Sequence, residues 1–282
     1  MDIYPLLFTP IYKKMVWGSE SWDISCRTNP NEMSVIENGA FAGLPFDEVI
    51  AKDQVSFLGS KVAPVYANTG FPLLVKIIDT KDNLSVQVHP DDAYAKANGY
   101  TDSGKSEMWY IIEAEPNAYL IAGLTPDATP DKLRNDPISC LNKLPVKKGD
   151  LIDIPAGLVH AITKNIKLAE IQQNSDITFR LYDYDRPGLD GKPRELHIDE
   201  GIAVTNFTGN IPPTSQFNLT KYEVNGEASE TSYPESFTIF TCVEGSCTVA
   251  GVPLTCERSI FIPAALGTYV VCGNATLLKA FM

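Results

Sequence analysis

The sequence predicts an all-β protein built from two related β-barrel halves, with a few short helices. Three observations carry this. Twenty prolines and nineteen glycines are scattered through 282 residues, which means many turns and little room for long helices. Apolar runs of strand length recur between residues 71 and 172 and again from 217 to 282. Third, GDLIDIPAGLVHAITKNIKLAEIQ (149–172) is echoed by ERSIFIPAALGTYVVCGNATLLKAF (257–281). Pro155 falls on Pro263, Ala156 on Ala264 and His160 on Thr268; with a one-residue gap, Glu170 falls on Lys279.

The elements follow in order. Pro45–Lys52 reads as a short helix. FPLLVKIID (71–79) is a continuous apolar run, as in a strand covered on both faces, and LSVQVH (84–89) alternates. Asp91–Asn98 and Pro130–Asn135 are further short helices beside loops. MWYIIEA (108–114) and NAYLIAGL (117–124) flank Glu115-Pro116 and read as a hairpin. DLIDIP, AITK and IKLAEIQ continue the strand pattern. The polar, Pro-bearing TGNIPPTS (208–215) reads as a linker, dividing an N-terminal domain (1–210) from a C-terminal domain (216–282).

The bulk numbers describe a soluble globular protein, 44% apolar and 21% charged. A formal net charge of −12 repels nucleic acid and anionic membranes, so neither is an expected partner. An anionic ligand must therefore be drawn by a local cationic pocket. No apolar run reaches membrane-spanning length, and the start, MDIYPLLFTPIYKK, carries Asp2, Pro5 and Pro10 rather than a secretion signal. A cytoplasmic location is expected. The six cysteines lack CxxC spacing and are expected to be reduced, with Cys242 and Cys247 flanking a hairpin turn.

Of three histidines, two have telling contexts. Gln87 and His89 stand two apart on a strand, so their side chains share one face while Val86 and Val88 take the other. Converging donors of this kind can hold a metal, although a half-buried strand with a polar face looks the same. Gly149, Pro155, Gly157 and His160 match the second signature motif of the cupin barrels. Gly149-Asp150 opens the hairpin, Pro155 and Gly157 turn, and His160 points inward. The motif's usual closing Asn is replaced by Lys164, with Asn165 one place later. Glu107, in GKSEMWY (104–110), supplies a carboxylate. Two imidazoles, a carboxylate and an amide oxygen suit Zn²⁺, and also Fe²⁺ or Mn²⁺. His197, in RELHID (194–199), has no such setting and is expected to be structural or surface.

Nearly end to end, the chain resembles the type I mannose-6-phosphate isomerases, in their short bacterial form of two cupin barrels. The resemblance rests on Trp17-Gly18, ESWDIS (20–25), PLLVKIID, LSVQVHPDD (84–92), GKSEMWYI (104–111), PAGLVHA and EIQQNSDITFRLYDYDR (170–186). Ser19 and the Ser of GKSE are mild departures from the family pattern. The resemblance implies one Zn²⁺ per chain on Gln87, His89, Glu107 and His160, and an active-site arginine at Arg180. It points to Lys105, Ser85 and Lys76 as candidates for substrate or phosphate, to Trp17 as a pocket wall, and to Glu170 as the family's acidic position. Read from the residues alone, Lys76 could be an edge lysine and Arg180 could pair with Asp183 or Asp185. Asp183, Asp185 and Arg186 read as a salt-bridged turn.

The implied reaction interconverts mannose 6-phosphate and fructose 6-phosphate through a cis-enediol. It needs a base between C1 and C2, a group serving the two oxygens, and positive charge for the enediolate. Glu170 and Lys105 are the candidate proton carriers, with Glu170 preferred. An Fe²⁺ cupin dioxygenase and a non-catalytic sugar-binding cupin are the alternatives. Gln in place of a third His and the nearby cations speak against the first. Lys105, Arg180 and Glu170 beside all four donors speak against the second.

Overall fold

A computed structural model describes residues 3–282. It is mostly β-strand with a few short helices, as the composition predicts. The chain divides into two compact units. One takes Met1–Ile11, Trp22–Lys76 and Ser215–Met282; the other takes Tyr12–Ser21 and Ile77–Thr214. Among the described residues, no helix is long and apolar enough to cross a membrane.

The Tyr12–Ser21 and Ile77–Thr214 unit carries the predicted chemistry. One sheet has the strand order Leu151–Ile154, Glu107–Ala114, Ile166–Gln173, Leu73–Thr80, Gly18–Ile24, Ile11–Met15. The chain passes from one unit to the other inside Gly18–Ile24 and Leu73–Thr80. A second sheet has the order Phe179–Tyr182, Val86–Val88, His160–Ile162, Tyr119–Leu124, Leu141–Pro145. The apolar run at 71–79 is buried along nearly all of Leu73–Thr80, as a strand covered on both faces must be. Alternation along Val86–Val88 sends the two valines into a buried cluster with Phe179, Leu181 and Val159, leaving Gln87 on the opposite face. Trp109, Ile111, Leu168 and Trp17 anchor another buried cluster.

The expected hairpin around Glu115-Pro116 does not form. Glu107–Ala114 pairs with Leu151–Ile154 and Ile166–Gln173, whereas Tyr119–Leu124 pairs with His160–Ile162 and Leu141–Pro145. The turn is tight, with Ala118 donating to the Glu115 carbonyl and Asn117 at φ 66°, but it hands the chain from one sheet to the other. Both runs are sheet-competent, and the sequence does not encode which partner each takes. The three expected helices are present as Phe46–Lys52, Asp92–Ala97 and Pro130–Asn135. Gln54–Leu58, Ala63–Thr69 and Ile198–Val204 were not foreseen, being too short for a clear apolar period.

The other unit carries a seven-stranded sheet. Asn218–Thr231, Thr268–Phe281, Thr238–Val249, Ser259–Ile262, Leu6–Thr9 and Val35–Ile36 follow one another, with Val252–Thr255 paired to Thr238–Val249. Phe46, Phe71, Phe237 and Phe261 pack with ring centroids 5.1–6.1 Å apart. Burying each such ring contributes roughly 1.5–3 kcal/mol. Cys242 and Cys247 do not flank a turn: both lie inside the single strand Thr238–Val249, buried and reduced. A bulge between Cys242 and Glu244 absorbs the Gly245 irregularity that imitates a turn in sequence.

Candidate metal centre

The strand register builds the site. Glu107 opens its strand and lies opposite Gln172 on one side and Ile154 on the other. On the second sheet, His160 lies opposite Gln87, and Gln87 lies opposite Arg180. Directly opposed residues project from the same face, so His160, Gln87 and Arg180 form one transverse row. His89 follows the Val86–Val88 strand, two residues beyond Gln87.

Two loops lock these residues in place. Gly104 has no room for a side chain, because a Cβ there would stand 2.4 Å from the backbone between Asp91 and Asp92. That close approach lets Lys105 N–H reach the Pro90 carbonyl and Ser106 N–H reach Gln173 Oε1, at 2.9 Å each. The motif glycine Gly157 sits at φ 86° and donates to the His89 carbonyl at 2.9 Å. The turn before one histidine is thus tied to the backbone of the other.

Inside, donor atoms of His89, Glu107 and His160 lie within 4.8 Å of one another, and all three residues are buried. His89 Nε2 stands 3.3 Å from Glu107 Oε1, and His160 Nε2 stands 3.8 Å from Oε2. Each ring donates its Nδ1–H to a backbone carbonyl, His89 to Ile177 and His160 to Leu158, at 2.8 Å. That fixes the tautomer and leaves both Nε2 lone pairs facing the carboxylate, as a metal-binding imidazole requires. Gln87 Nε2 lies 3.3 Å from His160 Nε2. A half-turn of the amide puts its carbonyl oxygen there instead. The Ser85 hydroxyl donates to Gln87 Oε1 at 3.3 Å.

Burial, with the Lys105 ammonium next, pushes His89 down to about 3, and burial also lowers His160. Both rings are neutral, the form that ligates. Burial pushes Glu107 up, but the Lys105 ammonium beside it counters this and the carboxylate is held well below its ordinary value. Both buried carboxylate oxygens lack a well-formed hydrogen bond, although the Lys105 ammonium stands 2.8 Å from Oε1. A buried carboxylate in that condition, facing two imidazole lone pairs, fits a divalent cation.

The remaining predicted residues are placed as follows. Lys105 is buried, with Nζ 3.4 Å from His89 Nε2. Glu170 is buried opposite Trp109 and accepts the indole N–H at 2.8 Å. The Trp109 ring in turn meets the His160 ring edge-on, centroids 5.4 Å apart. Arg180 donates Nη1–H to the Glu195 carbonyl at 2.8 Å, and burial lowers its affinity for its proton. Trp17 is buried in the cluster around Trp109. Lys76 belongs to the other unit, buried with its ammonium 5.1 Å from the Trp22 ring centroid. His197 is not among the ligands; its ring lies 6.2 Å from that of Phe179. Sequence reasoning missed the carbonyls of Ile177 and Leu158, which carry no side-chain signal. It also missed Arg194, which joins Arg186 on the buried Asp183 carboxylate.

A family model described as phosphomannose isomerase type I, catalytic domain, matches residues 10–122. The chain is 31% identical to the mannose-6-phosphate isomerase ManA of Bacillus subtilis, covering 100% of both chains. It is 43% identical to the mannose-6-phosphate isomerase of Streptococcus mutans over 71% of this chain and 67% of that one. A solved mannose 6-phosphate isomerase from Bacillus subtilis superposes with a TM-score of 0.87 at 29% identity, covering 99% of each chain. Phosphomannose isomerase structures from Salmonella typhimurium, at 17% identity and a TM-score of 0.76, share the fold. With ManA matched over its full length and the solved Bacillus subtilis enzyme superposing over 99% of each chain, the chain belongs to the type I mannose-6-phosphate isomerase family.

Proposed function

We propose that the protein interconverts mannose 6-phosphate and fructose 6-phosphate, with one Zn²⁺ held by Gln87, His89, Glu107 and His160. The observation that carries this reading is the convergence of two neutral, oriented imidazoles on a buried, ionised carboxylate, in a chain of this family. When bound, Zn²⁺ supplies Lewis-acidic positive charge for a developing enediolate oxygen.

The chain's own residues do the rest. Arg180, in the row with Gln87 and His160, offers a guanidinium to substrate oxygens. Glu170 moves the proton between C1 and C2. Its carboxylate shares a sheet face with Glu107, since both lie on adjacent strands and point as Trp109 does, and the Trp109 indole orients it. Lys105, ion-paired with Glu107, serves substrate charge. Ser85 and Lys76 remain candidates for substrate contacts, with Trp17 as a wall of the pocket. The resemblance supports reading the fold as two cupin barrels, residues 1–210 and 216–282, the second without ligands and the whole cytoplasmic.

The test is a coupled assay of fructose 6-phosphate formed from mannose 6-phosphate. Chelation should abolish the conversion and Zn²⁺ should restore it. Absence of conversion by the metal-loaded protein would remove the reading.

A further inference from the structure

Asp183 draws together two arginines that the metal centre does not explain. The strand Phe179–Tyr182 carries Arg180 and ends just before Asp183, and the chain then loops out and folds back. The returning segment is fastened to the strand by the His197 N–H on the Arg180 carbonyl at 2.8 Å and by Arg180 Nη1 on the Glu195 carbonyl. Asp183 is 5% exposed. Its carboxylate accepts from Arg186 through Nε at 3.2 Å and Nη2 at 3.0 Å. It also accepts from Arg194 through Nε at 2.6 Å and Nη2 at 2.5 Å. Arg186 adds a 3.3 Å contact to Asp82 and lies over the Tyr184 ring.

The charges in this cluster do not balance. Two guanidiniums, Arg186 and Arg194, hold one buried carboxylate, and a third, Arg180, stands close enough that Arg194, after burial, lowers its proton affinity. Arg180 Nε is buried with no hydrogen-bond partner. A buried, unpaired guanidinium N–H in a locally cationic cluster of an acidic protein calls for an anion. The fork of a guanidinium matches phosphate oxygens, and Arg180 stands in the row with Gln87 and His160.

We propose that Asp183 is a positioning residue. It fixes Arg194 and Arg186 so that, with Arg180, they form a preorganised subsite for a phosphate monoester dianion. This rests on the sugar-phosphate reading above. Asp183 touches no substrate in this scheme; its role is to hold two long, entropically costly side chains in one geometry before the ligand arrives.

The conservative variant Asp183→Asn separates positioning from simple charge, because the two predict opposite signs. If the cluster attracts the anion by charge alone, removing a carboxylate makes it more cationic, and phosphate binds more tightly. If Asp183 positions, both arginines lose their shared anchor and binding weakens. The expected result is a rise in KM for mannose 6-phosphate of about tenfold, with kcat changed less than about threefold. The Kd of inorganic phosphate, measured by calorimetry on the full chain, rises by the same factor. An unchanged or tighter phosphate Kd overturns the proposal. Calorimetry needs no turnover, so phosphate binding that weakens in Asp183→Asn while the wild type converts no mannose 6-phosphate sustains the subsite and rejects the reaction instead. Should Asp183→Asn fail to fold, Arg194→Lys tests the same subsite from the other side. It keeps the charge but loses the fork, and the same rise in phosphate Kd is expected; no rise overturns the proposal.

Discussion

Two segments of this chain align in sequence and differ in what they bury. Residues 149–172 and 257–281 align through Ile-Pro-Ala, and each forms a short strand and a turn, but the return is split between two sheets, as His160–Ile162 and Ile166–Gln173, in the first and is the single strand Thr268–Phe281 in the second. In the first, the return begins with His160, fully buried, and continues to Glu170, which accepts from Trp109. In the second, the return begins with Thr268, which is exposed, and reaches Lys279 at the Glu170 position. Lys279 is buried but locally satisfied: its ammonium lies 2.7 Å from Glu230 and 5.1–5.8 Å from the rings of Tyr222, Tyr233 and Phe240. One segment points His160 at a common centre, where it faces the Glu107 carboxylate, whose oxygens lack a well-formed hydrogen bond. The other neutralises its buried charge with neighbours of its own. A similar sequence pattern therefore carries no chemistry by itself; a few inward side chains decide it.

The comparison breaks most visibly at His160. His160→Ala should lose stoichiometric metal and more than about 100-fold in activity, since even outer-shell partners of a metal are worth about 10–100-fold. Thr268→Ala at the matching position should change neither. Metal content per chain, measured by atomic emission, decides; full occupancy in His160→Ala would mean the ligand set is drawn wrongly.

Next comes the Glu170 and Lys279 pair. Glu170→Gln keeps shape, and should cut kcat by about 10²–10⁴ with little change in KM. Lys105→Met should mainly raise KM. Solvent-proton exchange at C2 of bound substrate assigns the roles: if Glu170→Gln exchanges at the wild-type rate and Lys105→Met does not, they are swapped.

A third test concerns a buried acid on the other unit, Asp23. Both of its oxygens lack a hydrogen bond of good geometry, and burial pushes the carboxyl up to about 7. The group binds its proton more tightly folded than unfolded. Its contribution is therefore fully present below the unfolded value of 3.8 and is lost as pH rises to about 7. The loss is on the order of 4 kcal/mol, because each tenfold gain in proton affinity on folding is worth about 1.4 kcal/mol. Asp23→Asn should flatten that slope. Denaturant unfolding of the two proteins at about pH 5 and about pH 7.5, on either side of most of the loss, gives the comparison. Equal slopes would show that the carboxyl is not protonated when buried.

The smallest effect is expected at Lys279. Lys279→Met removes one ion pair and its ring contacts, at about 1–2 kcal/mol, which lowers Tm by a few degrees and leaves kcat alone. A loss of activity in that variant would mean the second segment takes part in the chemistry.

Much of the site was legible because its information is local. Gln87 and His89 declare a common face through period-two alternation, and the spacing from Gly149 to His160 describes a turn whose φ values only glycine tolerates well. Glu107 was legible by its place in GKSE, where Gly104 admits no side chain. By contrast, the partner of each strand around Glu115-Pro116, the carbonyls that orient the two imidazoles, and the meeting of Arg186 and Arg194 on Asp183 lay outside sequence reasoning. The sequence by itself determined the strand content, the inward residues and the donor types, because alternation, turn chemistry and side-chain functionality act over a few residues. Only the tertiary structure decided which sheet each strand joined, which nitrogen of each histidine faced the centre, and how two arginines came to share one carboxylate. Those depend on register and contacts between residues far apart in the chain, and no local pattern records them.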